Sequence, residues 1–447
     1  MTAKISAPVL LLFISLTVYS QESLPFPTTL VFPPYFHSYG IQRATQAKLR
    51  MLLPFRTRFD DPQGVAVTKM ESRNDTAVSS DDDEVTVYGV NRGRGEIIYN
   101  TSMYAIALWG KRGPGPEEMN NPKGIACDPL GNVYVCDAGN NRIIRLFNPK
   151  TKVRFVKSIG TGTLRNPTHI ALGGKGELYV SDTDNHRILV MDCDGKILRE
   201  IKAAGKIPVH YPLGIAVNLR SEKWHCDPKK DSILVLYYQR DCLFFLNDSG
   251  RSLVRLDLNS NQAFCIKPDS VLGKSCAHDF MATDFYGNIY LPDGNRGTID
   301  KFDINLSYLT SFGSSGTGDR QFNEPRGICI WKRYGQTFVA EKDGAQYYWM
   351  GTDFSDVKVA RHGSRLAPNL FFLTGMITEP SYISLYLLAG KQDTVQAVFK
   401  KRMCFPRPFE TLFSVEKLSS RGDRWLAVFE PTYSSYTYFQ KAVELKR

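Results

Sequence analysis

Apolar residues along this chain come in short alternating runs rich in Val, Ile, Tyr and Phe, and Gly, Asn or Asp ends each one. Gly131-Asn-Val-Tyr-Val-Cys-Asp137, Gly176-Glu-Leu-Tyr-Val-Ser-Asp182 and Gly287-Asn-Ile-Tyr-Leu-Pro-Asp293 are examples. Such runs predict strands, not helices. Ahead of each lies another repeated phrase: Asn121-Pro-Lys-Gly-Ile-Ala-Cys-Asp128, Asn166-Pro-Thr-His-Ile-Ala-Leu-Gly173 and Tyr211-Pro-Leu-Gly-Ile-Ala-Val-Asn218. Their prolines recur at intervals of 45 residues. Further copies are Asp61-Pro-Gln-Gly-Val-Ala-Val67, Glu324-Pro-Arg-Gly-Ile-Cys-Ile330 and a degenerate His278-Asp-Phe-Met-Ala-Thr-Asp284 without the proline.

Each copy continues through a second strand, a polar turn, a third strand such as Arg142–Phe147 or Arg187–Met191, and a fourth such as Val153–Ile159. A four-stranded unit cannot bury its apolar face alone, so the units must stack until a ring closes. Six units of this length predict an all-β chain built on a six-bladed β-propeller. Two units carry inserts, Thr68–Glu84 with the acidic run Asp81–Glu84, and Leu219–Asp231. The acidic run is read as a solvated loop rather than a calcium site.

From Phe59 to His362 these phrases resemble the NHL repeat family: Pro-x-Gly-Ile-Ala, Gly-Asn-Val-Tyr-Val-x-Asp, then Asn-x-Arg-Ile. The resemblance implies the propeller but no single activity, because the family includes lyases, RNA binders, ligase targeting modules and extracellular sensors. Propeller lyases of this kind carry His directly after the anchor proline in several units. This chain does so in none, so no catalytic residue is carried over.

The ends of the chain extend the plan. Met1–Ser20, with Lys4 before the apolar run Val9–Val18, reads as a secretory signal too short to span a bilayer, and an N-terminal segment follows over 21–45. The propeller is expected over 46–365. Ala47–Leu53 reads as a stray fourth strand able to complete the last unit, with Val357–Ala360 as its competitor. Residues 369–447 alternate as strands (Ser381–Leu388, Thr394–Phe399, Trp425–Phe429, Thr437–Leu445) and predict a small β-sandwich that resembles immunoglobulin-like modules, some of which sort proteins to the cell surface. Arg421-Gly-Asp423 is read as a turn.

Composition narrows the chemistry. The 447 residues carry 56 basic and 45 acidic groups, a net charge of +11 that favours acidic partners. Nine cysteines meet an oxidising compartment; Cys127, Cys136 and Cys329 sit in strand-like runs, and Cys226–Cys242 and Cys265–Cys276 are the expected bridges. Lys123, Arg142, Arg165, Arg187 and Arg326 mark the face where the units begin and form the candidate ligand-binding set. Asp137 with Arg142 and Asp182 with Arg187 also admit a structural reading, as bridges within each turn. The alternative is a zinc- or calcium-dependent hydrolase or lyase centred on His169 and Asp279, although nearby Lys and Arg would repel a cation. No phosphate loop, nucleophile elbow or paired-histidine metal motif is present. The expected function is a secreted, non-enzymatic binding protein for a protein or acidic glycan, without a cofactor, a nucleic-acid partner or a later membrane span.

Overall fold

The computed structural model describes residues 30–31, 43–54, 56–73, 85–102, 105–219, 240–318, 320–332, 335–350, 354–362, 369–389, 394–415, 424–431 and 441–446. The signal segment, the acidic run, Cys226 and the Arg-Gly-Asp turn lie outside them. Contacts divide the chain into a unit over 26–350 and a C-terminal unit over 351–447.

Among the described residues of the first unit, six antiparallel sheets of four or more strands follow one another along the chain. Their inner strands are Pro62–Lys69, Pro122–Cys127, Pro167–Leu172, Ile215–Asn218, Ala282–Thr283 and Ile328–Trp331. These touch in chain order, and the last touches the first. The cores lie between neighbouring sheets: Tyr88 and Ile97 of the first pack on Val133 and Ile144 of the second. Leu243 and Phe245 of the fourth likewise meet Ile188 of the third. Burying the alternate faces of each sheet against its neighbours is the stacking that the repeat required.

The anchor phrase works through its glycine. A Cβ on Gly124 would stand 2.7 Å from the Cα of His169, and one on Gly327 would stand 2.2 Å from the carbonyl oxygen of Gln63. At these two positions neighbouring inner strands approach backbone to backbone, and only a residue without a side chain fits. The residue before each proline turns left-handed, from Asp61 (φ 54°) and Asn121 (φ 47°) to Tyr211 (φ 43°) and Glu324 (φ 49°).

Ring closure differs from the sequence expectation. Gln46–Leu52 is a helix, not a strand; Thr45 Oγ1 accepts from the Lys48 N–H at 3.4 Å to cap it. The segment has no β-branched residue, and Leu49 and Leu53, four apart, are the buried pair. The outer strand of the sixth sheet comes from just upstream, where Arg43–Ala44 and Leu30–Val31 pair antiparallel with Gly344–Met350. Arg43 fastens it, donating to the carbonyls of Thr317 and Gln321 at 2.5 Å each, 3.6 Å from Glu341. Val357–Ala360 does not compete: it lies in the strand Phe354–Arg361 and pairs with Leu370–Ile377.

The described residues of the C-terminal unit form two antiparallel sheets. One holds Phe354–Arg361, Leu370–Ile377 and Arg407–Ser414; the other holds Thr394–Cys404, Ser381–Ala389, Arg424–Pro431 and Lys441–Lys446. Phe371, Leu373, Leu385, Phe413, Trp425 and Phe429 form their common core. No helix among the described residues is long and apolar enough to cross a membrane.

Candidate functional site

The face on which the sheets begin is built from one repeated clamp. The side chain closing each second strand accepts the backbone N–H just ahead of the inner strand of its own sheet. Asp137 accepts from Asn120 at 2.6 Å, Asp182 from Arg165 at 2.7 Å, and Asn247 from His210 at 2.7 Å. Asn91, Asp293 and Glu341 do the same for Asp60, Ala277 and Asn323.

The other carboxylate oxygen takes the arginine. Arg142 Nε lies 2.8 Å from Asp137, and its guanidinium also donates to the carbonyls of Gly115 and Glu118. Arg187 repeats this with Asp182 at 2.7 Å and the Thr163 carbonyl at 2.8 Å, adding Glu200 at 2.7 Å. Both aspartates are fully buried. Arg142 and Arg187 thus hold turns together, and the structural reading of this spacing accounts for these contacts.

Lys123 and Arg326 are engaged as well. Arg326 pairs with Asp61 of the neighbouring first sheet and lies 3.6 Å from Glu324. Lys123 Nζ reaches across the mouth, 2.9 and 2.8 Å from the two carboxylate oxygens of Asp279. Asp279 leads into the fifth sheet, opposite the second in the ring. Of the five candidate cations, Arg165 alone has an exposed side chain with no ion pair among the described residues.

His169 and Asp279 do come together, Nε2 standing 3.7 Å from Oδ1. They do not fit a metal. The Lys123 ammonium sits on both oxygens that an ion would need, and burial pushes the imidazole down to about 3, with Asp279 opposing and Lys123 reinforcing. Neither ring nitrogen of His169 has a hydrogen bond, and the ring packs edge-on against Phe280 at 4.5 Å. His169 and Phe280 stand where other sheets carry the anchor glycine, so their rings fill the mouth above an apolar channel of about 180 Å3 lined by Val65, Ile125, Ile215 and Ile328. Beside the plug a polar cavity of about 290 Å3 carries both signs of charge, from Asp61, Asp279 and Glu324 to Arg92 and Arg326.

The cysteines depart from the expected bridges. Cys242 is a buried thiol, while Cys265 and Cys276 are both free. Cys265 is exposed on an outer strand, whereas Cys276 joins a cluster with His278, Asp293 and Asp300. Sequence reasoning missed that cluster, and its one signal was the fifth copy, where His-Asp-Phe replaces Pro-x-Gly.

Known proteins agree with the repeat. The NHL repeat model matches residues 119–146 and 164–191. Among solved structures, the chain is similar to virginiamycin B lyase from Staphylococcus aureus at 18% identity and TM-score 0.40, covering 61% of this chain and 79% of that one. It is similar to a gluconolactonase from Xanthomonas campestris at 13% and 0.44, covering 69% and 94%. A chain of a nidogen/laminin complex follows at 14% and 0.37, covering 57% and 80%. No activity is carried over from likenesses this distant. No curated protein matches the chain in sequence.

Proposed function

Because the chain is an NHL-repeat β-propeller protein, we propose that it acts as a secreted, non-enzymatic binding module whose entry face takes an acidic protein or glycan. The observation that carries this reading is the plugged mouth. Lys123–Asp279 and His169–Phe280 fill the place where a catalytic propeller would gather ligands around a metal or a reacting group. What remains is a rigid surface for contact.

Its cationic side lies around the first three sheets. Arg165 and Arg112 are exposed there, and Arg58 and Lys111 hold only solvent-facing pairs with Asp60 and Glu118. Such exposed pairs contribute roughly 0–1 kcal/mol and yield readily to an anionic partner. The apolar run Val9–Val18 supports export, and the C-terminal unit offers a means of attachment to a surface.

The test is binding of the full chain to a sulfated polysaccharide and to a panel of acidic proteins, with Arg112→Glu plus Arg165→Glu as the variant. Lys123 and Arg326 are unsuitable for this purpose, since reversing them breaks contacts within the fold. Binding that weakens steeply with salt, and by about tenfold or more in the double variant, supports the proposal. Unchanged binding by the double variant overturns it.

A further inference from the structure

On the entry face, at the seam between the third and fourth sheets, three rings gather. His186 and His210 stack nearly parallel with centroids 4.8 Å apart, and Tyr211 meets them edge-on at 4.1 and 4.7 Å. His210 and Tyr211 are exposed.

The repeat does not call for these rings. His186 Nδ1 accepts the Tyr211 N–H at 3.2 Å, and one sheet earlier Asn141 Oδ1 accepts the Asn166 N–H at 2.7 Å. That clasp needs an acceptor, which asparagine supplies without a ring. Tyr211 departs further. It stands at φ 43°, where four other sheets place Asp61, Asn121, Asn166 and Glu324. A short polar side chain such as asparagine tolerates the left-handed turn, whereas a bulky aromatic one is a strained outlier, and such strain concentrates at binding sites.

Cations and acceptors border the rings. The turn Thr183–Asn185, which ends at His186, donates its Asp184 N–H to the Arg165 carbonyl at 3.3 Å. On the other side, the N–H groups of Asp248 and Ser249 donate to the carbonyls of His210 and Tyr211, and Arg251 follows in that turn. Arg165 and Arg251 are exposed and hold no ion pair among the described residues. Asp184 is tied to Asn166 at 3.1 Å and Asp248 to Ser252 at 3.0 Å, which leaves each carboxylate with lone pairs for a further donor.

We propose that His186, His210 and Tyr211 form the platform of an acidic-sugar site. A sugar ring lays its C–H face on the exposed aromatic surface, the acid groups of its chain pair with Arg165 and Arg251, and its hydroxyls donate to Asp184 and Asp248. An acidic peptide would satisfy the arginines but brings no hydroxyls for the two carboxylates. The inference rests on the binding role proposed above and narrows its ligand to an acidic polysaccharide.

The test is calorimetric titration of the full chain with a heparin oligosaccharide and with polyglutamate of equal charge. Heparin is expected to bind more tightly. Tyr211→Asn, which restores the residue found at this position in two other sheets, keeps the melting temperature, weakens heparin by about tenfold and leaves polyglutamate unchanged. Heparin affinity that survives Tyr211→Asn overturns the site, as does an equal loss for both polymers or tighter binding of polyuridylate than of heparin. If Tyr211→Asn fails to fold, His210→Ala decides, and unchanged heparin affinity overturns the site. A chain that binds acidic proteins but not heparin overturns this inference and leaves the binding role standing; one that binds neither overturns both.

Discussion

Lys123 and Asp279, 156 residues apart in the chain, meet across the mouth of the propeller with both carboxylate oxygens within 2.9 Å of the ammonium. They come from opposite sheets, so the pair is a strut across the ring as well as a plug. Removing one partner leaves the other without its counter-ion. Lys123→Ala and Asp279→Ala are each expected to lower stability by about 1–3 kcal/mol, and the double variant by less than their sum. Chemical denaturation of all four proteins in a double-mutant cycle measures the coupling. Strict additivity would show that the strut contributes nothing.

Acid should weaken the propeller through His169. Burial pushes its imidazole from the usual 6.5 down to about 3, so below pH 6.5 the unfolded chain binds a proton that the folded chain refuses. Stability from this group is complete above pH 6.5 and is lost progressively between about 6.5 and 3, by at most about 1.4 kcal/mol per pH unit. His169→Gln should flatten that part of the curve. Unfolding midpoints from pH 7 to pH 4 decide the matter, and identical slopes in the two proteins would refute it.

The anchor glycines should tolerate no side chain. In Gly327→Ala the new methyl meets the Gln63 carbonyl at 2.2 Å, a backbone atom held by its own sheet. A loss of about 1–3 kcal/mol is expected. Gly89→Ala is the control: it lies in a strand, and its nearest neighbour stands 3.8 Å away. There the change stays within about 0.5 kcal/mol. Thermal melts of both variants compare them directly.

The clamp aspartates should matter both as counter-ions and as acceptors of the N–H ahead of the inner strand. Asp182→Ala leaves Arg187 without its buried counter-ion and the Arg165 N–H without its acceptor. It should cost about 3–5 kcal/mol. Asp182→Asn keeps an acceptor for the N–H and should cost clearly less. Urea midpoints for the two variants test the order, and a reversed order would remove the clamp from the account.

Much of this architecture was legible in the sequence because it is local. Alternation marked the strands, the recurrence of Pro-x-Gly marked where four of the six sheets begin, and Asp137 with Arg142 already suggested a bridge within one turn. The reading of Ala47–Leu53 went astray because apolar residues four apart suit a helix as well as an edge strand, and only the pairing of Arg43–Ala44 with Gly344–Met350 showed which segment closes the ring.

What belonged to the tertiary structure alone is the fate of charges far apart in the chain. Lys123, Arg326 and Asp279 read as a cationic face and a metal ligand when each is taken with its neighbours in sequence. Closure of the ring brings Lys123 onto Asp279 and Arg326 onto Asp61, turning binding candidates into internal ties. Within the fifth sheet alone, the pairing of its strands gathers Cys276, His278, Asp293 and Asp300, where the sequence shows only a copy without the anchor proline and glycine. A repeat determines the shape of each unit, because strand propensity and turn geometry act over a few residues. Which side chains meet across the ring depends on how many units close it, a property of the whole chain.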